Sequence, residues 1–178
     1  GPPPAVIERM GRKAQARALM MSCGVPVVPG SPGTVETAKE AEAIAGELGW
    51  PVLIKASAGG GGRGMRRADG PQQLAPAFEA ARAEAESCFG DGTLYLEKLI
   101  LRPKHVEFQI LADSQGNVIH LGERDCSLQR RNQKLMEESP CKALSPALRR
   151  EMGEAAVKAA RAAGYRGAGT VEFVLDQA

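Results

Sequence analysis

A glycine run, Gly59-Gly-Gly-Gly-Arg-Gly64, follows Lys55 and the short apolar segment Pro51–Ala56, and it narrows the possible folds more than any other stretch. The run satisfies G-x-G-x-x-G, but a dinucleotide fingerprint needs a helix that opens directly on its glycines. Here Arg63–Ala68 has the texture of a returning strand, and Asp69-Gly70-Pro71 punctuates it. A P-loop also fails, because Met65 stands where a lysine should follow the last glycine. What remains is a strand, a Gly loop and a return strand. Backbone N–H groups of such a loop can approach anionic oxygens closely, with Lys55 as a point charge beneath them. Two readings stay open: a flexible hairpin over a triphosphate, or an ordinary surface loop.

The flanking segments alternate helix and strand. Val6–Ser22 carries small or apolar residues at helical spacing and ends before Gly24, which predicts one helix with a glycine cap. Thr34–Leu48 predicts a second, with Thr34 and Thr37 as competing N-caps. An Ala-rich helix runs to about Cys88, either starting near Pro76 or kinked there. Strands are expected at Thr93–Ile100, Lys104–Asp113 and Val118–Glu123, with Ser114–Asn117 as a hairpin turn. Arg124–Ser139, polar and aperiodic, is expected to be a loop or an irregular active surface. Ser145–Ala163 predicts a helix opening on Pro146; Gly164–Gly169 predicts a turn and Thr170–Leu175 a last strand. The fold class is α+β, with a small lobe at about 25–100 and part of a larger one after it.

Composition excludes several functions. The 178 residues hold 23 Lys+Arg against 21 Asp+Glu, a net charge of +2, and only 4 % aromatics. That balance lacks the basic face and stacking platforms of a dedicated nucleic-acid binder. No stretch approaches the ~20 apolar residues of a membrane span. Cys23, Cys88, Cys126 and Cys141 show no CxxC spacing, and predict reduced thiols and a cytoplasmic setting, or a mitochondrial matrix in a eukaryote. The chain opens on Gly1-Pro-Pro-Pro4 and stops after an apolar strand-like run, as expected of a piece of a longer polypeptide.

Three further clusters carry chemistry. Leu94-Tyr-Leu-Glu-Lys98 ends an apolar strand on Glu97 and Lys98, either a hinge against a purine edge or a solvated strand end. Glu123–Lys134 is charged and includes adjacent arginines, yet Cys126 and Leu128 interrupt it. Glu172 lies between Val171 and Phe173. A buried carboxylate is costly unless paired or metal-bound, so Glu172 is a magnesium ligand or sits on a wet face by simple alternation.

Together, Lys55-Ala-Ser-Ala-Gly-Gly-Gly-Gly-Arg-Gly-Met65, His105-Val-Glu-Phe-Gln109, Glu123-Arg-Asp-Cys-Ser127, Gln129-Arg-Arg-Asn-Gln-Lys134 and Gly167-Ala-Gly-Thr-Val-Glu-Phe173 resemble the biotin carboxylases, ATP-grasp enzymes, in order along the chain. The motifs are most similar to the α-type subunits of acetyl- and propionyl-CoA carboxylases. The resemblance implies an ATP-grasp fold with a connecting helical segment at 1–26, a complete lid at 27–99, and the first part of the C-terminal subdomain at 100–178. It implies phosphate contacts at Lys13 and Lys55, with Gly60, Gly61 and Gly62 covering the phosphates. Glu97 and Lys98 correspond to the adenine hinge, aided by backbone at Ile100. His105, Gln129 and Asn132 match nucleotide-contacting positions, although Asn132 stands where many members have His. Lys134 and Cys126 match residues of the catalytic centre near bicarbonate, and Glu172 the first of two magnesium (or manganese) glutamates.

The activity implied is ATP-dependent carboxylation of carrier-bound biotin through carboxyphosphate. The implied partners are a biotin carboxyl carrier domain, a carboxyltransferase and further copies of the parent chain, with no nucleic acid and no membrane. The second metal glutamate and the family's asparagine and arginine near bicarbonate are not in this sequence, so the piece alone is expected to be inactive. A carbamoyl-phosphate synthase relative, or a nucleotide-binding module without turnover, are the alternatives.

Overall fold

The structure is a computed structural model that describes residues 1–58 and 62–177. The elements are α1 (Pro4–Gly11), α2 (Lys13–Ser22), α3 (Ala38–Leu48), β1 (Val52–Ala56), β2 (Met65–Ala68), α4 (Pro71–Phe89), β3 (Leu94–Lys98), β4 (Pro103–Ala112), β5 (Val118–Arg130), β6 (Gln133–Glu138), α5 (Pro146–Ala163) and β7 (Gly167–Asp176). They fall into two compact units: Gly1–Met10, Leu19–Pro26 and Ile100–Ala178 form one, Gly11–Ala18 and Val27–Leu99 the other. None of the described helices is long and apolar enough to cross a membrane.

In the second unit β1 is the centre of an antiparallel sheet of order β2-β1-β3. Alternation along β1 sends Val52, Ile54 and Ala56 into the core. There they meet Ala41 and Ala45 of α3 and Leu74, Phe78, Ala81 and Ala85 of α4. The many alanines let helices and sheet approach closely, so the core relies on dense packing of small side chains. Thr37 caps α3 by accepting from the Glu40 N–H at 3.1 Å; Thr34 lies outside the helix, because Val35 bridges to Leu94 instead. α4 opens on Pro71 and runs through Pro76. Proline at the first helical position gives up no hydrogen bond, whereas Pro76 removes one. Its location early in a 19-residue helix whose buried face continues for three turns makes that loss tolerable.

Two positions need glycine for space or conformation. A Cβ on Gly30 would lie 2.3 Å from the Leu96 carbonyl oxygen, so only glycine allows the bridge from Gly30 to Glu97. Gly64 has φ +65° and would place a Cβ 2.7 Å from that of Ala56. Its carbonyl accepts from the Ala56 N–H at 2.9 Å, and its N–H donates to Glu84 at 3.1 Å. The far end of the Gly run is thereby anchored on β1 and α4.

In the first unit an antiparallel sheet of order β6-β5-β4-β7 carries α5 on one face. Val106, Phe108 and Ile110 of β4 pack with Met152, Ala156 and Ala160 of α5. Ser145 caps α5 by accepting from the Leu148 N–H, and Gly164 ends it in a left-handed conformation.

Three expectations are corrected. Val6–Ser22 is two helices, broken at Arg12, because the Lys13 N–H donates to the Ser57 carbonyl. Arg124–Ser139 is not a loop: β5 continues to Arg130, and β6 returns from Gln133. Arg131 and Asn132 both have positive φ, 51° and 65°, and join residues paired as Arg130 with Gln133. This is the mirror-image two-residue turn that matches strand twist. Finally, β7 starts at Gly167, three residues early, because Gly167 and Ala168 already pair with Ala112 and Leu111.

Candidate functional site

Two clusters hold most of the candidate residues, one in each unit. In the second unit, Lys55, Tyr95 and Glu97 share the sheet face that α3 and α4 leave uncovered. Lys55 pairs with Tyr95 across the strands, and Leu53 with Glu97. Lys55 Nζ donates to Glu97 Oε2 at 2.8 Å and stands 5.6 Å from the Tyr95 ring centre. Burial disfavours charge on Lys55, but Glu97 and Tyr95 outweigh it and hold its pKa above the ordinary lysine value. Lys13 is pulled the other way, its pKa lowered by burial and then by repulsion from Lys55. Two lysines near one carboxylate leave uncompensated positive charge, which suits an anionic ligand.

Lys98 turns elsewhere. Its ammonium donates to the carbonyls of Gly49 at 3.0 Å and Trp50 at 2.8 Å, closing the connection from α3 to β1. Gly62 has φ +79°; Gly60 and Gly61 lie outside the described residues.

In the first unit the sheet face opposite α5 is polar. β4 alternates between core residues and His105, Glu107 and Gln109. Register places Arg124 of β5 and Glu172 of β7 directly opposite Glu107 on its two sides. Like charges directly opposite repel, and Lys134 resolves the conflict. Its Nζ donates to Glu107 and, at 2.6 Å, to Glu172. Arg124 Nε donates to Glu107 at 2.8 Å. Burial pushes the Glu107 carboxyl up, but the bonds from Lys134 and Arg124 outweigh it and lower its pKa. Burial likewise disfavours charge on Lys134, yet its two carboxylate bonds keep it firmly protonated.

Beside this pair, the Gln129 amide donates to the Cys126 carbonyl at 2.9 Å and to His105 Nδ1 at 2.6 Å. His105 Nδ1 is then an acceptor, so Nε2 carries the hydrogen, 3.3 Å from Glu172 Oε1. Five of the expected residues, His105, Cys126, Gln129, Lys134 and Glu172, are thus linked on one surface. Glu172 lies on the polar face by strand alternation, its side chain 55 % exposed and paired with Lys134. Cys126 is buried, and its thiol is pushed up to about 11 by burial, then by Glu107 and Glu137. A thiol so placed is protonated at neutral pH and fills space beneath the charged groups. Asn132 occupies the exposed β5–β6 turn, and Ile100 is half-buried ahead of β4.

Sequence reasoning missed Glu107, Arg124 and Arg17. The period-two alternation of His105, Glu107 and Gln109 between Val106, Phe108 and Ile110 was the available signal for Glu107. His105, Glu107 and Glu172 offer ligand atoms within 4.8 Å of one another, and two carboxylates in such a set suit a hard cation.

The model of the family described as carbamoyl-phosphate synthase L chain, ATP binding domain, matches residues 12–178. The chain belongs to that family. Biotin carboxylase from a Nostoc species is 58 % identical over 99 % of this chain and 40 % of the relative. Among solved structures, a biotin carboxylase–β-γ-ATP complex from Campylobacter jejuni is similar with TM-score 0.97 and 51 % identity, over 99 % of this chain and 40 % of that one. The biotin carboxylase domain dimer of Hydrogenobacter thermophilus 2-oxoglutarate carboxylase, solved with MgADP, ADP and bicarbonate, gives 0.95 and 54 %, over 99 % and 39 %. The chain has the ATP-grasp fold of these family members, and spans between 15 % and 40 % of the length of such curated relatives.

Proposed function

We propose that this chain is the ATP-binding part of a biotin carboxylase, which uses MgATP and bicarbonate to carboxylate biotin held on a carrier domain. One observation carries the reading: a biotin carboxylase is 58 % identical over 99 % of the chain. The geometry adds the chemistry. Lys13 and Lys55 place positive charge where a triphosphate can lie. His105, its ring held by Gln129, offers its Nε2 hydrogen to a nucleotide, and Lys134 offers a fixed ammonium to bicarbonate or the terminal phosphate. Preorganised cations of this kind favour a transition state in which charge spreads over phosphoryl oxygens.

In the proposed reaction a bicarbonate oxygen forms a bond to the γ-phosphorus, while the bond to the β-phosphate oxygen breaks and releases ADP. Carboxyphosphate then yields phosphate and CO₂, and the ureido nitrogen of biotin takes the CO₂ as its proton passes to phosphate. Glu172, with Glu107 opposite, has the hard oxygen donors to hold magnesium. When bound, that ion offsets charge on the phosphates. Lys134 keeps both carboxylates in place beforehand, and the Gly run and its anchor at Gly64 belong to a lid that excludes water from the anhydride.

On this reading residues 27–99 are the lid, 100–178 begin the C-terminal subdomain, and 1–26 connect to it. A carrier domain, a carboxyltransferase and a second copy of the parent are the partners of a cytoplasmic enzyme. The test is ADP release from MgATP by the full-length protein, with and without bicarbonate and free biotin, beside Lys55→Ala. Release that needs bicarbonate, rises with biotin and falls at least tenfold in Lys55→Ala is expected. Release stimulated by bicarbonate but indifferent to biotin would favour carbamoyl-phosphate-type chemistry, the reading that the family's description invites. Nucleotide binding without turnover would leave a binding module.

A further inference from the structure

Arg17 stands on α2, one helical turn after Lys13, with its side chain only 9 % exposed. Its Nη1 donates to the Val28 carbonyl and lies 3.8 Å from Glu97 Oε1. Lys55 holds the other oxygen, Oε2, at 2.8 Å. Glu97 therefore has a different cation on each oxygen, one in direct contact and one just beyond it. The seat of the guanidinium is shaped by Gly30, whose missing Cβ would lie 3.2 Å from Arg17 Nη2. Arg17 Nε has no hydrogen-bond partner among the described residues, so the fork still has donor capacity. No motif pointed to this residue.

We propose that Arg17 is a positioning residue that keeps Glu97 paired when Lys55 leaves it for the triphosphate of ATP. The inference rests on the ATP-binding reading above. In the structure Lys55 is committed to Glu97, and a lysine so committed cannot neutralise a phosphate. Without a second cation, removing it would strand a carboxylate whose side chain is 16 % exposed, and leaving a partly buried ion unpaired is costly. With Arg17 in place the carboxylate exchanges one cation for another, and a shift of under an ångström brings guanidinium and carboxylate into contact. Arginine suits this role better than lysine: it stays charged throughout the working pH range, and its fork serves the Val28 carbonyl and Glu97 together.

A thermodynamic cycle on the full-length protein tests the idea. The β,γ-imido analogue of ATP is titrated calorimetrically into wild type, Arg17→Met, Arg17→Lys, Glu97→Gln and Arg17→Met/Glu97→Gln. Thermal melting followed by circular dichroism checks that each variant is folded. Arg17→Met should bind about tenfold more weakly, and Arg17→Lys within about threefold of wild type. Against Glu97→Gln, which no longer holds Lys55 by charge, Arg17→Met should cost less than about threefold, because there is no longer a carboxylate to strand. KM for ATP should rise in Arg17→Met with kcat little changed.

A folded Arg17→Met that binds like wild type, or a loss of the same size with and without Glu97→Gln, overturns the proposal. If Arg17→Met does not fold, Arg17→Lys decides: a tenfold loss in that folded variant overturns it. A wild type that binds no analogue overturns the ATP-binding reading, and this inference with it.

Discussion

Asp125→Asn should cost stability that depends on pH in a defined way. Asp125 is nearly buried, 8 % exposed, at the bulge where β5 departs from β6. Lys104 donates to it at 2.8 Å, the Ser127 N–H at 3.0 Å, and the Ser127 hydroxyl and Cys141 thiol complete its shell. Burial alone would push the carboxyl up, but these donors, Lys104 first, bring it down from 3.8 to about 2. At about 1.4 kcal/mol per pKa unit, that interval amounts to about 2 kcal/mol, somewhat less because the Lys104 side chain is partly exposed and screened. The folded-state value lies below the unfolded one. The contribution is therefore fully present above about pH 4, and is lost as pH falls through about 2.

Asparagine lacks this charge and turns an N–H₂ toward Lys104 in at least one rotamer, a penalty that carries no pH dependence of its own. Urea unfolding of both proteins, read from the NMR amide signals of β4 and β5, separates the two effects. The single tryptophan, Trp50, belongs to the other unit and would not report on this one. The gap in stability between wild type and variant should shrink by about 1–2 kcal/mol between pH 5 and pH 2. Other carboxylates with lowered pKa values, such as Glu107 and Asp113, are common to both proteins and cancel. A gap that stays constant over that range refutes the reasoning.

Gly30→Ala should destabilise the unit around β1 by about 1–3 kcal/mol, because its Cβ would sit 2.3 Å from a backbone oxygen that cannot retreat; Trp50 fluorescence during thermal unfolding reads it directly. At pH 8 a Cys126 thiol near pKa 11 is about one part in a thousand thiolate. Iodoacetamide should therefore label exposed Cys88 well before Cys126, as peptide mass spectrometry will show, and prompt labelling of Cys126 would contradict its burial. Glu172→Gln should raise the magnesium concentration for half-maximal ATP turnover about tenfold in the full-length protein. An unchanged titration would leave Glu172 as a counter-charge for Lys134 alone.

The local sequence determined much about this protein. The apolar strand at Pro51–Ala56, the strand at Lys104–Asp113, Pro146 opening α5, Gly164 closing it, and a Gly run between two strands were all readable, because each depends on residues within a turn or two of one another. The β5–β6 hairpin was not. Charged residues from Arg124 to Lys134 hide the alternation, since their partners are other charges rather than a core, and the Arg131-Asn132 turn lacks the usual glycine.

The pairings that matter for function belonged to the tertiary structure alone. Glu97 and Lys55 were expected at opposite ends of a nucleotide, one at the purine and one at the phosphates. That the β1–β3 register also brings the two into contact was not readable from either motif. Glu107 was quoted within a motif but given no role. It became the hub of the polar face only when β4 was laid between Arg124 and Glu172. A residue's type and neighbours in sequence say what charge it can carry. Which charge it must answer is decided by strand register between segments tens of residues apart, and no local propensity encodes that distance.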